Sequence, residues 1–436
     1  MEITFYGAAE EVGRSCMLIS SNNTKVLLDA GIKLGGGDPY PTLPDKQLNE
    51  IDAILISHAH LDHIGYLPHI YSAGYKGPLY TLKPTVELMQ VLISDYMKIS
   101  NPQNVTKHGL EEMGKHRVLV DYKKEFRIKG LSITFIPSGH ILGSAMIRIS
   151  DGKTSLLYTG DVNLSKTRLL NGADTKNLSA NALIMESTYG GKADVFKSER
   201  EVTNQMISSI KETILAGGKV ILPCFAVGRA EEMLLLLDDY MNSGAIPKTP
   251  IYVDGMINKA MRIHRHNVIY CRKELQSRIL MSDYDPFKSA NFVPVEKKSM
   301  RNAIVASEEG SIIVTTSGMI TGGPVMFYLA KLAKNSRNKL ILVGYQAEGT
   351  LGRQIQEGAK EIILNDHKVS IGLKVETFHM SAHADRKQLE ILPQKVANLK
   401  HIFIVHGEIK KIREFTEELS KKFNVIIPKD GESYKV

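Results

Sequence analysis

The chain has 436 residues, 43% of them hydrophobic and 23% charged, which is ordinary for a globular protein and longer than one hydrophobic core usually organises, so two domains are expected. No apolar run reaches the roughly 18 residues of a membrane-spanning helix, and Cys16, Cys224 and Cys271 are too scattered for a disulfide framework or a CxxC metal site; a reducing, cytoplasmic setting without membrane insertion fits. The net charge of +8 suits a polyanionic partner without requiring one.

In chain order, MEITFYGAAEEVG (1–13) enters an alternating strand pattern with no basic, apolar leader. Strand-like runs then recur, each ending in a polar or glycine-rich loop. AILIS (53–57) leads to His58, LSITFI (131–136) to PSGHILGS, SLLYT (155–159) to GDVN, and ALIM (182–185) to ESTYGG. A different stretch follows, in which four runs each precede a helical pattern: VILPCF (220–225), IYVDG (251–255), SIIVTTSG (311–318) and ILVGY (341–345). Four strand–loop–helix units in succession predict a parallel, Rossmann-like sheet. Finally KVETF (374–378) leads to HMSAHAD and IFIV (402–405) to HGE. Because metal-type residues lie on both sides of the parallel stretch, 191–371 reads as an inserted domain, with 1–190 and 372–436 folding together around it.

Residues 57–65 read SHAHLDHIG. In an extended loop, alternate residues project to one side, so His58 and His60 can face one point while Asp62 and His63 face a second. Imidazole and carboxylate donors suit zinc better than magnesium or calcium, which prefer oxygen-rich shells. Two ions need further ligands, and His140, Asp161 and His406 stand at other strand ends. A lone histidine after a strand is ordinarily structural; the joint occurrence of these residues carries the inference. The loops at strand C-termini of layered α/β proteins converge on one rim, so distant residues can share a site.

LLDAG (27–31), SHAHLDHIG, SGHILGS and YTGDVN together resemble the successive motifs of the metallo-β-lactamase superfamily of binuclear hydrolases, whose fold is an α/β, four-layered αββα sandwich. The resemblance implies two zinc ions, one held by His58, His60 and His140, the other by Asp62, His63 and His406, with Asp161 bridging. It also implies that Asp29 orients the histidine loop; the local sequence equally allows a turn-forming aspartate before Gly31. ESTYGG, FAVGRAEE, VTTSGMITGGP, GYQAEGTLGR, SAHAD and VHGE extend the resemblance to the β-CASP branch, which processes nucleic acids and carries an inserted domain. Glu186, His383 and His406 match that branch's motifs A, B and C, and histidine at the last favours RNA. The chain is most similar to archaeal and bacterial relatives of the endonuclease subunit of the cleavage and polyadenylation specificity factor, in the shorter form without KH domains. Two departures stand out: Glu231 where the branch pattern has glutamine, and KADVFKSERE after ESTYGG, which lacks the usual histidine and prolines.

The expected activity is therefore zinc-dependent hydrolysis of RNA, endonucleolytic with or without 5′→3′ exonuclease action. Asp62 belongs to the catalytic metal set, and His383, held by Glu186, is the expected proton donor to the leaving oxygen. Candidate RNA contacts are Arg229, Ser317, Gly322, Gly323, Arg353 and Ser381. The basic run MRIHRHNVIYCRK (261–273) could track RNA backbone, but a solvated helix face followed by a strand is the commoner outcome for such a run, and His264 and His266 are not expected to bind metal. Only family analogy speaks for a homodimer. The alternatives are a silent scaffold in RNA processing, which in this family lacks ligands that are all present here, and a small-molecule metallo-hydrolase, which would lack the inserted domain.

Overall fold

The computed structural model describes residues 1–35, 37–100, 102–282, 284–364 and 366–436. Its contacts define two compact units: Met1–Lys166, Leu170–Val195 and His383–Val436 form the first, and Thr167–Leu169 and Phe196–Ala382 the second. Among the described residues no helix is long and apolar enough to cross a membrane.

The first unit contains two seven-stranded sheets. One runs, in spatial order, Ser433–Lys435, Glu2–Gly7, Cys16–Ser21, Thr24–Leu28, Ala53–Leu55, Leu79–Leu82 and Arg117–Val120. The other runs Val425–Ile426, His401–Val405, Ala182–Glu186, Ser155–Tyr158, Ala145–Ser150, Leu131–Pro137 and Phe126–Ile128. Alternate residues of a strand face opposite sides, and both faces of the second sheet are used. Phe403 meets Phe5 of the first sheet at a ring distance of 5.6 Å, and Phe126 stacks on Tyr80 at 5.0 Å, so the sheets pack face to face. On the opposite face, Leu183, Met185, Ile402 and Ile404 bury Ile412, Phe415 and Leu419 of the helix Ile409–Leu419. The sheets are thus the inner layers of the α/β sandwich and this helix belongs to an outer one.

Register decides where the strands deliver their last residues. Ser155–Tyr158, Ala182–Glu186 and His401–Val405 are parallel neighbours, with Tyr158 opposite Ile184 and Glu186 opposite Val405. The residues that follow them, including Asp161 and His406, therefore emerge at one rim. In the first sheet Leu28 pairs with Leu55 in parallel, which brings Asp29 beside the start of the histidine loop.

The second unit is built on a six-stranded, all-parallel sheet in the order Phe292–Val295, Ile251–Asp254, Ser311–Thr315, Lys219–Pro223, Lys339–Leu342 and Lys374–Thr377. Its core packs Ile221, Ile313, Leu340 and Leu342 against Tyr328, Leu329 and Ile355. Two sequence expectations need correction here. The strand at 374–378, assigned above to the flanking domain, pairs with Lys339–Leu342, and the chain returns to the first unit at His383 rather than at 372. The cause is electrostatic as well as steric: the Lys339 ammonium, only 2% exposed, pairs with Glu376 at 2.8 Å, and Val375 packs on the core. Within 261–273, the helix Ile257–His266 is followed by a 3-10 turn, Val268–Tyr270, and a second helix, not by a strand. The Tyr270 and Cys271 amides turn back to the carbonyls of Asn267 and Val268, leaving no extended segment.

Candidate metal centre

Four of the side chains at issue come from one loop, Ser57–His63, which leaves the strand Ala53–Leu55 and closes into the short helical turn Leu61–Ile64. Its shape is fixed from outside. The Asp62 and His63 carbonyls accept from the Ser15 and Ala30 amides at 2.9 and 2.8 Å. Gly31 lies so close that a Cβ there would fall 1.7 Å from the Asp62 oxygen.

Asp29 has a left-handed backbone, φ 55°, and a buried carboxylate that does the orienting. One oxygen accepts from the Ser57 amide (2.7 Å); the other accepts from the Ser57 hydroxyl (2.6 Å), the Tyr158 hydroxyl (2.8 Å) and His63 Nδ1 (2.7 Å). With Nδ1 committed, His63 turns Nε2 inward. Asp29 thus combines a left-handed turn position with a carboxylate that hydrogen-bonds the histidine loop.

The structure brings the seven expected side chains into two groups that share Asp161. His58, His60, His140 and Asp161 form one; Asp62, His63, His406 and Asp161 form the other. Asp161 Oδ2 lies 3.4 Å from His58 Nε2 and 3.6 Å from His140 Nε2, while Oδ1 lies 3.4 Å from His63 Nε2 and 3.7 Å from His406 Nδ1. His406, itself left-handed at φ 51°, sets Nε2 3.1 Å from Asp62. The donor set fits a pair of divalent cations by an independent criterion: His58 Nε2 and Asp161 Oδ1 are buried inside the cluster and make no hydrogen bond, a costly arrangement unless each faces an ion.

The electrostatics of the two groups differ. Burial drives the imidazoles of the first toward the neutral form, lowering His60 to about 3 and His140 well below its ordinary value, where the nearby His383 adds to the effect. In the second group burial again opposes charge on His63, but Asp161 and then Asp29 outweigh it and hold this imidazole well above its usual range. Burial raises and imidazoles lower the Asp161 carboxyl, with His406 and His63 prevailing, so it stays ionised. Positive charge is favoured beside Asp161 and Asp62, whether a proton or a cation supplies it.

A third constellation adjoins the first two. His383 Nδ1 lies 3.0 and 3.1 Å from the two oxygens of Glu186, which is fully buried and also accepts from the Val162 amide at 2.8 Å. The His383 ring sits 4.5 Å from that of His140. Burial works against its protonation, but Glu186 and Asp161 overcome this and raise it to about 9. His60, Asp62 and His383 are half-buried, whereas His58, His63, His140, Asp161, Glu186 and His406 are buried.

The candidate RNA contacts all follow carboxyl ends of the parallel strands of the second unit and are not part of the His/Asp cluster. Arg229 opens the helix Arg229–Asn242 and is 7% exposed. The Ser317 hydroxyl accepts from the Thr321 amide at 2.9 Å, the Gly322 carbonyl accepts from the Ser317 amide, and Gly323 caps the helix Pro324–Leu332. Arg353 donates to Glu357 at 2.6 Å, and Ser381 is half-buried just ahead of His383. His264 is buried and donates from Nδ1 to the Ala260 carbonyl at 2.8 Å. Two residues that sequence reasoning missed are Tyr158 and Ser57: an aromatic ending a strand and a serine before a histidine carry no signal until Asp29 is seen between them.

Comparison with known proteins gives a consistent picture. Residues 18–188 match the metallo-beta-lactamase superfamily domain, 230–355 the Beta-Casp domain, and 368–428 the Zn-dependent metallo-hydrolase RNA specificity domain. The chain is 38% identical to the transcription termination factor FttA of Methanothermobacter thermautotrophicus over 97% of its own length and 69% of that protein's. It is 37% identical to the factor of the same name from Methanocaldococcus jannaschii, with the same coverage, and 38% identical to that of a Lokiarchaeum species over 95% of the chain and 68% of the relative. Among solved structures, a protein of unknown function from Enterococcus faecalis superposes with a TM-score of 0.61 over 99% of both chains at 14% identity, a likeness of fold alone.

Proposed function

The chain belongs to the β-CASP branch of the metallo-β-lactamase superfamily, a family of metal-dependent hydrolases, and from that premise we propose that it is a two-zinc ribonuclease that cuts RNA phosphodiester bonds. The observation that carries this reading is Asp161, one buried carboxylate whose two oxygens face two separate histidine sets. RNA as the substrate is supported by the match of 368–428 to an RNA specificity domain, and transcripts in particular by relatives named as transcription termination factors. The three cysteines are buried and unpaired, in keeping with a cytoplasmic site of action.

His58, His60 and His140 would hold one ion, Asp62, His63 and His406 the other, and Asp161 both. Two zinc ions, once bound, would lower the pKa of a water toward about 7 and would offset charge on the phosphoryl oxygens. The residues do the rest. Asp29 keeps His63 in the tautomer that turns Nε2 inward. Glu186 grips His383 Nδ1, so the far ring nitrogen is directed away from the carboxylate and can give a proton to the leaving ribose oxygen, a contribution of about 10²- to 10⁴-fold. In the second unit, the loop Ser317–Gly323 and the amino end of the nine-residue helix Pro324–Leu332 would receive a backbone phosphate, with Arg229, Arg353 and Ser381 as further candidate contacts.

The test is cleavage of single-stranded RNA labelled at either end by the zinc-loaded chain, beside His383→Ala and Asp62→Ala. Internal cuts by the wild type, slowed at least a hundredfold in both variants, are expected. Intact RNA alongside hydrolysis of a small ester would overturn the reading in favour of a small-molecule hydrolase; intact RNA and ester together would favour a scaffold. Comparing 5′-monophosphate and 5′-triphosphate ends separates exonuclease from endonuclease action.

A further inference from the structure

We infer that Tyr158 is a positioning residue that sets how tightly the Asp62–His63–His406 half of the centre holds its cation, acting through Asp29. This deepens the two-zinc reading and rests on it. Tyr158 ends the strand Ser155–Tyr158 of the second sheet, three residues before Asp161. Its side chain is 2% exposed, and its hydroxyl donates to Asp29 Oδ2 at 2.8 Å. Asp29 belongs to the first sheet's side of the unit, following Thr24–Leu28. The hydroxyl therefore ties the carboxylate that orients the histidine loop to the strand that leads into the shared Asp161.

Geometry makes this tie specific to one half. Asp29 Oδ2 is the oxygen that also receives His63 Nδ1, and the Tyr158 hydroxyl lies 3.5 Å from that same nitrogen. In the first group, among the contacts of the described residues, His58 reaches the network only at one remove, through Nδ1 and the Ser57 hydroxyl at 3.1 Å, which in turn donates to Asp29. Removing the tyrosine hydroxyl leaves the ring volume and the Ser57 and His63 bonds to Asp29. What it takes away is the only one of the four donors to Asp29 that comes from the second sheet, so the carboxylate can drift with the first sheet relative to Asp161. Metal sites tolerate about 0.5 Å of such drift, and losing an outer partner typically costs about 10- to 100-fold in affinity.

The experiment titrates zinc out of the full chain with a chromophoric chelator, for wild type, Tyr158→Phe, Asp29→Asn and the double variant, and follows thermal unfolding of the metal-free proteins. The expected result is two release steps in the wild type. In Tyr158→Phe one step should weaken at least tenfold and the other stay unchanged, with metal-free melting close to wild type; the double variant should lose no more than Asp29→Asn alone, since both changes cut one chain of contacts. Equal affinities of wild type and Tyr158→Phe at both steps overturn the inference while leaving the two-zinc reading intact. So does equal weakening of both steps, or additive losses in the double variant. A wild-type chain that retains no zinc overturns the parent reading and this one with it.

Discussion

Gly31 offers a test of how narrowly the metal loop is held. Its backbone is not in the left-handed region, so alanine would suffer no conformational strain, and the effect of Gly31→Ala is steric. The new methyl carbon would sit 1.7 Å from the Asp62 oxygen, 2.0 Å from its carbonyl carbon and 2.6 Å from the His63 amide nitrogen, whereas ordinary contact begins near 3.4 Å. Relief requires the 62–63 backbone to withdraw by well over the roughly 0.5 Å that a preorganised site tolerates. That movement pulls on the bonds from Ser15 to Asp62 (2.9 Å) and from Ala30 to His63 (2.8 Å), and it carries away two proposed ligands of one ion. Overpacking of this kind costs about 1–3 kcal/mol of stability. Zinc affinity of the Asp62–His63–His406 group should fall by more than about 100-fold, since a direct ligand moves rather than its support. The assay is zinc per chain after gel filtration, with metal-free melting alongside. Gly114→Ala is the control: it lies within the helix Lys107–Lys115, a Cβ there meets nothing within 4 Å, and it should stabilise by about 0.5–1 kcal/mol without touching zinc content. Two zinc ions bound with wild-type affinity in Gly31→Ala would refute the reasoning.

Three further outcomes follow from the second unit and the proposed proton donor. Burial, with a smaller push from Glu232, raises the Glu231 carboxyl from 4.5 to about 8 against the pull of its own and Gly228's amides. The folded chain then keeps a proton that the unfolded chain releases above about pH 4.5, so stability drains as pH climbs from there to about 8, by at most about 5 kcal/mol. His264, whose Nδ1 lies 3.7 Å from Glu231, is driven down to about 4 by burial and acts in the opposite sense below about pH 6.5. Glu231→Gln should therefore gain on the wild type steadily between pH 5 and 8 in denaturant unfolding; parallel curves would sink this account. Glu376→Gln should leave the buried Lys339 ammonium beside Ser209 without its counter-charge and cost about 2 kcal/mol or more, read as a lower urea midpoint. Glu186→Gln should slow RNA cleavage by at least tenfold while leaving zinc content unchanged, because Glu186 grips His383 rather than the His/Asp groups on either side of Asp161; loss of zinc would show that it holds metal instead.

Much of the site was legible because its residues end strands, and a residue that ends a strand advertises itself by a change from apolar alternation to polar loop. His58, His140, Asp161 and His406 could each be found that way. The supporting residues could not. Tyr158 reads as a good strand former, and only the register of two sheets reveals that its hydroxyl reaches a carboxylate 129 positions away. The segment 374–378 failed for a related reason: its pattern announces a strand, but which sheet takes it depends on an open edge at Lys339–Leu342 and on one buried ion pair. Glu231 was visible as a departure from the branch pattern; its burial and raised carboxyl were not.

The distribution of burial around the centre bears on how a phosphodiester could reach it. Asp29, Ser57, His63 and Tyr158 form a closed polar floor in which every Asp29 oxygen is satisfied, leaving no room for a substrate atom from that side. His60, Asp62 and His383 are half-buried, and they come from all three constellations: one from each histidine group and the third held by Glu186. The groups that keep some exposure therefore come from both proposed metal positions and from the proposed proton donor. A scaffold would have no need to keep a hydrogen-bonded imidazole beside the cluster. A hydrolase acting on a small ester would need the metals but not a donor held by a buried glutamate 3 Å away, because its leaving group is easier to expel than a ribose alkoxide.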